Sequence, residues 1–250
     1  MTKRIGQRTI EFASPPVLIG HAAVAGKKEG EGPLGSRFDR IEQDTTLQEK
    51  SWERAESRLQ REALDLALRK SGLTPAALHY LFAGDLINQC IISAYGVRGM
   101  DVPFLGLYGA CSTMAEGLLL AAHMIDGGFA DAAAAVTSSH FATAERQYRF
   151  PLEYGGQRPP TAQWTVTGAG AAVLAASGRG PIITRACPGK IVDYGVRDAN
   201  NMGAAMAPAT PCKTQCVLQM INEECTMQNC GAAGAADKNP PADCSAGGFI

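Results

Sequence analysis

The stretch from Pro103 to Gly128 limits the possible folds more than any other. The run PFLGLYG at 103–109 reads as a buried strand, and it leads through Ala110-Cys111 into a helical pattern over 112–128. Met114, Leu118, Ala121, Ala122 and Ile125 share one side of that helix, while Ala110, Ala115, Ala121 and Ala122 keep the segment slim. Such a helix packs closely between layers. A second helix is expected over 51–70, where Trp52, Ala55, Leu59, Ala63 and Leu66 fall on one face, Ser51 is placed to cap and Gly72 to stop it. LHYLFAG at 78–84 reads as a strand ending at Asp85, and ADAAAAVTSS at 130–139 as a central strand ending before His140. TVTGAGAAVLAAS at 165–177 and PIITRACPGKIVDYG at 181–195, joined by Ser-Gly-Arg-Gly, have the spacing of a hairpin. Strands alternating with helices, plus an antiparallel addition, give a layered α/β class.

Composition narrows the function. Hydrophobic residues make up 46% of 250, and 23 Lys plus Arg against 24 Asp plus Glu leave a net charge of -1, which argues against a nucleic-acid partner. No run of 18 uncharged apolar residues occurs, and Met1-Thr2-Lys3-Arg4 leads into polar residues, so a cytoplasmic chain without a transmembrane segment is expected. GKKEGEG at 26–32 reads as a flexible turn without phosphate-loop spacing. Cysteine is uneven: Cys90, Cys111 and Cys187 stand in the first 209 residues, whereas Cys212, Cys216, Cys225, Cys230 and Cys244 crowd the last 41. Their intervals lack a CxxC knuckle, which favours an irregular tail over 210–250 with neither zinc nor a disulfide knot.

Cys111 stands where a strand meets a helix N-terminus, a place that stabilises thiolate, although a lone cysteine also serves as a small core residue. Among the four histidines, His140 follows a strand on the same side of a parallel sheet as Cys111, while His79 and His123 read as packed or surface groups. Residues 145–165 carry Arg146, Arg149 and Arg158 among Tyr148, Tyr154 and Trp164. Arginine forks beside aromatic faces suit a planar carboxylated ligand, and a structured loop at a subunit interface would use the same residues.

Around Tyr108-Gly109-Ala110-Cys111-Ser112-Thr113 the chain resembles the nucleophile segment of the thiolase and ketoacyl synthase superfamily. With Lys27 to Pro33, Phe82-Ala83-Gly84-Asp85-Leu86, Ser138-Ser139-His140-Phe141, Tyr154 to Pro160 and Asp198 to Gly203, it resembles the stage V sporulation protein AD family of endospore-forming bacteria over about residues 1–209. The resemblance implies a thiolase-like fold of two similar α/β halves in five layers, with 1–187 as the first half and 188–209 as the start of a second that is largely missing. It implies binding of dipicolinic acid, with calcium, for uptake into the developing spore beside the SpoVA membrane channel proteins. The expected place is peripheral, on the cytoplasmic side of the forespore or spore inner membrane, with a homodimer formed through the thiolase-like half. Asp85 and Cys111 match positions near the family's ligand cleft; His140, Arg149 and Arg158 join them as ligand-binding candidates from their residue chemistry. The alternative is an acyltransferase or ketoacyl synthase using Cys111 as nucleophile, which a chain without the second-half bases disfavours. The cysteine jump after residue 209 implies out-of-frame translation or a truncated gene.

Overall fold

A computed structural model describes residues 3–148, 165–189, 193, 195, 197 and 217–221. The chain begins with strands β1 (Lys3–Ile5), β2 (Thr9–Glu11) and β3 (Val17–Gly26), a short helix α1 (Lys27–Gly30) and β4 (Arg40–Glu42). Helix α2 (Trp52–Ser71) leads to β5 (Tyr80–Gly84), α3 (Ile91–Gly96) and β6 (Phe104–Leu107). Then come α4 (Thr113–Asp126), β7 (Ala132–Ser139), α5 (Phe141–Tyr148), β8 (Gly168–Ala175), β9 (Ile182–Cys187) and β10 (Val217–Ile221).

The strands form one mixed sheet in the order β1-β2-β9-β3-β8-β7-β5-β6, with β4 joined to β3 and β10 to β9. Strands β7, β5 and β6 are parallel, and β8 runs antiparallel to both β3 and β7. The expected α/β layering is present.

Strand periodicity explains why two helices suffice to cover the sheet's centre. Leu81, Ala83, Ala134, Val136 and Val173 point to one side, where Leu59, Ala63, Leu64 and Ala67 of α2 close the core. Phe82, Ala133, Ala135 and Leu174 point to the other, where Leu118, Leu119, Ala121, Ala122 and Ile125 of α4 pack. The small side chains of β7 and α4 bring these layers together. The α2 ends follow local rules: the Ser51 hydroxyl accepts from the Arg54 amide at 3.3 Å, and Gly72 closes the helix in the left-handed conformation.

Three expectations need correction. Segments 165–177 and 181–195 do not make a hairpin, because β3 lies between β8 and β9. The connecting turn crosses the start of β3: Leu18 donates to the Pro181 carbonyl, and a side chain on Gly180 would collide with the Leu18 carbonyl at 2.1 Å. Segment 103–109 is not fully buried, since β6 ends the sheet path and leaves Leu105 and Tyr108 exposed. Finally, Val217–Ile221, inside the tail expected to be irregular, pairs antiparallel with β9. The rest of 210–250 lies outside the described residues, as do most of 188–209.

Candidate functional site

The parallel strands β7, β5 and β6 release their loops at one edge, the usual place for ligand contacts in α/β sheets. Gly84 stands opposite both Leu107 and Thr137, so the register brings the residues after position 84 beside Tyr108 and Ser138. Asp85, Cys111 and His140 therefore come from neighbouring loops of one edge. Gly84 itself allows this closeness: a Cβ there would meet Thr113 Cγ2 at 2.3 Å and the Leu107 carbonyl at 2.4 Å. The Tyr108 hydroxyl donates to Asn88 Oδ1 at 3.0 Å, tying the loop after β6 to the loop after β5.

Cys111 is exposed in the turn Ala110–Ser112, immediately before α4. Ala110 takes a left-handed φ of 48°, unusual for a residue with a side chain, and that bend sets the cysteine at the mouth of the helix. The turn is held by its own side chains, with Ser112 donating to the Gly109 carbonyl at 2.7 Å and Thr113 to the Ala110 carbonyl at 2.8 Å. Cys90 contrasts with it. Its buried thiol donates to the Leu107 carbonyl at 3.0 Å, and burial, with the charges of Asp85 and Glu116, pushes its pKa upward.

His140 is completely buried. Its Nε2 lies 2.9 Å from the Thr45 carbonyl and Nδ1 accepts from the Ala142 amide at 3.1 Å, which defines a neutral ring protonated at Nε2. Phe141 and Trp52 flank it at centroid distances of 4.9 and 5.1 Å. Burial holds its pKa below the ordinary histidine value. Its placement gives it the task of holding loop and helix together, and among the described contacts none joins it to Cys111. Arg149 and Arg158 lie outside the described residues.

Asp85 is buried and accepts three hydrogen bonds: from the Ile87 amide at 2.9 Å, the Ser93 amide at 2.8 Å and the Ser93 hydroxyl at 2.6 Å. Behind it stands a cluster that sequence reasoning missed. Gln60 Nε2 reaches the Gly84 carbonyl at 3.1 Å, Ser93 Oγ at 3.0 Å and Ser138 Oγ at 3.3 Å. Ser138 Oγ lies 2.9 Å from Glu56 Oε1, and Thr143 Oγ1 lies 2.5 Å from Glu56 Oε2. Glu56 and Gln60 are fully buried on the sheet side of α2. Burial raises the Glu56 carboxyl to about 7 against the two hydrogen bonds, with Asp85 and Glu53 adding repulsion. The available signal was the stripe Glu56, Gln60, Ala63, Ala67, which is as regular as the apolar one beside it.

On the opposite side of α2 a groove of about 510 Å³ is lined by Arg54, Arg58, Arg61, Arg98, Ile91 and Tyr95. Its α2 arginines pair with carboxylates of the same chain: Arg54 with Glu49, Arg58 with Glu62 and Arg61 with Asp65. No group of three or more His, Cys, Asp or Glu among the described residues is placed to hold a metal ion, and none of the described helices is long and apolar enough to cross a membrane.

Comparison with known proteins places this geometry in context. The family model "Stage V sporulation protein AD (SpoVAD)" matches residues 6–231, beyond the expected limit near 209. Stage V sporulation protein AD of Bacillus subtilis (strain 168) is 47% identical over 207 residues, covering 83% of this chain and 61% of that protein. The chain thus spans about three fifths of this curated relative's length. Among solved structures, OleA H285N of Xanthomonas campestris is 15% identical with a TM-score of 0.48, covering 68% of this chain and 59% of that one. The 3-oxoacyl-[acyl-carrier-protein] synthase III of Aquifex aeolicus VF5 is 18% identical with a TM-score of 0.46, covering 67% and 56%.

Proposed function

Since the chain belongs to the stage V sporulation protein AD family, we propose that it binds dipicolinic acid for uptake into the developing spore, working with the SpoVA membrane channel proteins. The observation that carries this proposal is the gathering of Asp85 and Cys111, the two residues matching the family's cleft, on adjacent loops at one sheet edge. A planar dianion needs cationic donors, and Arg149 and Arg158 supply the forks in the proposed complex. Calcium would enter as cargo with the ligand, shared with Asp85, because a bare carboxylate beside a dianion is repulsive. Peripheral attachment at the forespore or spore inner membrane, and a homodimer covering the open β6 edge with its exposed Leu105, complete the proposal.

Titration calorimetry with dipicolinate, with and without calcium, tests it. Arg149→Ala or Arg158→Ala should weaken binding about thirtyfold, roughly 2 kcal/mol. Absence of binding by the unsubstituted chain refutes the ligand, whereas binding unchanged in both variants refutes only these contacts. The exposure of Cys111 at the mouth of α4 favours a second function, acyl transfer through a thioester. Steady release of coenzyme A from acyl-thioesters that is lost in Cys111→Ala and kept in Cys90→Ala would establish that function in place of simple binding.

A further inference from the structure

Proton counting around Glu56 constrains its charge without reference to any titration. The Thr143 hydroxyl has one hydrogen, yet its oxygen lies 2.5 Å from Glu56 Oε2 and 3.0 Å from the His140 carbonyl. If Glu56 is ionised, both neighbours are acceptors and one goes unserved. If Glu56 is a carboxylic acid, it donates to Thr143 and Thr143 donates to His140, so each contact has a hydrogen. The other carboxyl oxygen accepts from Ser138, whose oxygen in turn accepts from Gln60. Gln60 Nε2 shares its two hydrogens among Ser138 Oγ, the Gly84 carbonyl and Ser93 Oγ, which lies 3.0 Å away, and Ser93 spends its own hydroxyl hydrogen on Asp85.

The two carboxyl groups of this chain of contacts are therefore unlike. Asp85 receives three donors, while Glu56 receives one and gives one. Among the described residues the charged groups bearing on Glu56 are both acidic, Asp85 after β5 and Glu53 on α2 itself. His140, just before α5, is neutral, and the described residues of β3, β7, β8 and α3, also packed on α2, bring no charge to bear on it; the charged side chains of α5, Glu145 and Arg146, lie outside the described ones. Burying an ionised carboxylate is costly where no described residue sets a cation beside it, so the acid form is the one these described surroundings accept.

The geometry points to Glu56 as a carboxylic acid that positions Asp85 through Ser138, Gln60 and Ser93, leaving Asp85 to carry the cluster's single negative charge to the sheet edge. The ligand half of this inference rests on the dipicolinate proposal; the protonation half does not.

Two measurements decide it. In the unsubstituted chain labelled with ¹³C-glutamate, the Glu56 carboxyl resonance should titrate near neutrality, and Asp85→Asn should move its midpoint downward. A midpoint in the ordinary glutamate range overturns the acid assignment, and a midpoint indifferent to Asp85→Asn severs the link between the two groups. In calorimetry, Glu56→Gln, a neutral isostere that can still donate and accept, should keep dipicolinate affinity, whereas Glu56→Ala should lose at least tenfold while Glu56→Gln does not. Equal binding by Glu56→Ala overturns the positioning role. If the unsubstituted chain binds no dipicolinate, the ligand proposal and the positioning role fall together, and the carboxyl titration still decides the protonation.

Discussion

The two sides of α2 carry the same kinds of residue to opposite ends. On the outer side Arg58 and Glu62 pair at 3.1 Å, and Arg61 and Asp65 at 3.2 Å, each four residues apart and all in contact with water. On the inner side Glu56 and Gln60, also four residues apart, meet among the described residues serine and threonine hydroxyls, a carbonyl and each other's partners. Water is what separates them. An exposed ion pair exchanges one good solvent for another and contributes about 0.2 to 0.5 kcal/mol. A buried carboxyl has no such exchange, so its hydrogen-bond partners and its proton become conditions of the fold.

The contrast can be broken most forcefully at Glu56. Glu56→Ala should destabilise the chain by about 3 kcal/mol or more in urea unfolding, because it opens a cavity and strands the hydroxyls of Ser138 and Thr143. A loss under 1 kcal/mol would place Glu56 among the surface residues.

Next in size is the pH dependence. The folded value of about 7 exceeds the ordinary glutamate value of 4.5, so the folded state holds the proton more tightly. The stabilisation is complete below pH 4.5, declines as pH rises toward 7 and is gone above it, by up to about 1.4 kcal/mol per pH unit. Glu56→Gln should remove this slope from thermal unfolding curves. A constant difference between the two chains from pH 4.5 to 7 contradicts it.

His140 should act in the other direction and more weakly. Its pKa is depressed by burial, so protonation favours the unfolded chain and stability falls as pH drops below about 6.5. His140→Gln should flatten that acid-side decline, measured by the same unfolding curves; a decline of unchanged steepness assigns it to other groups. The smallest effect belongs to the outer side: Arg61→Ala should cost no more than about 0.5 kcal/mol, and 0.2 M salt should erase most of it. A loss above 1 kcal/mol would show that the outer pairs are built into the fold.

What could be read from the amino acids follows the same division between local and distant causes. Helix α2 with Ser51 and Gly72 at its ends, the apolar side of α4 and the central strand β7 all announce themselves within a few residues. That Asp85 follows a strand and Cys111 precedes a helix was legible in the local pattern, whereas their place in a ligand cleft is what the family resemblance implies. The ten-residue strand β3 was passed over, and with it the true neighbours of β8 and β9, since pairing over such distances leaves no mark on local periodicity. Glu56 was missed for a different reason. A glutamate on a helix ordinarily faces water, and its burial is fixed by Ser138 and Thr143, which stand more than 80 residues further along the chain.

The insertion of β3 between β8 and β9 also sets a timetable. During synthesis at about 5 to 20 residues per second, β3 leaves the ribosome many seconds before β8, the partner that covers most of its length. Helix α2 and the β5, β6 and β7 strands can assemble within that interval, since they lie close together in the chain. Strand β3 has only the three-residue pairing with β4 to occupy it. For that period the nascent chain carries a long apolar strand with open edges, which makes its early handling by chaperones, and not the stability of the finished sheet, the step most exposed to aggregation.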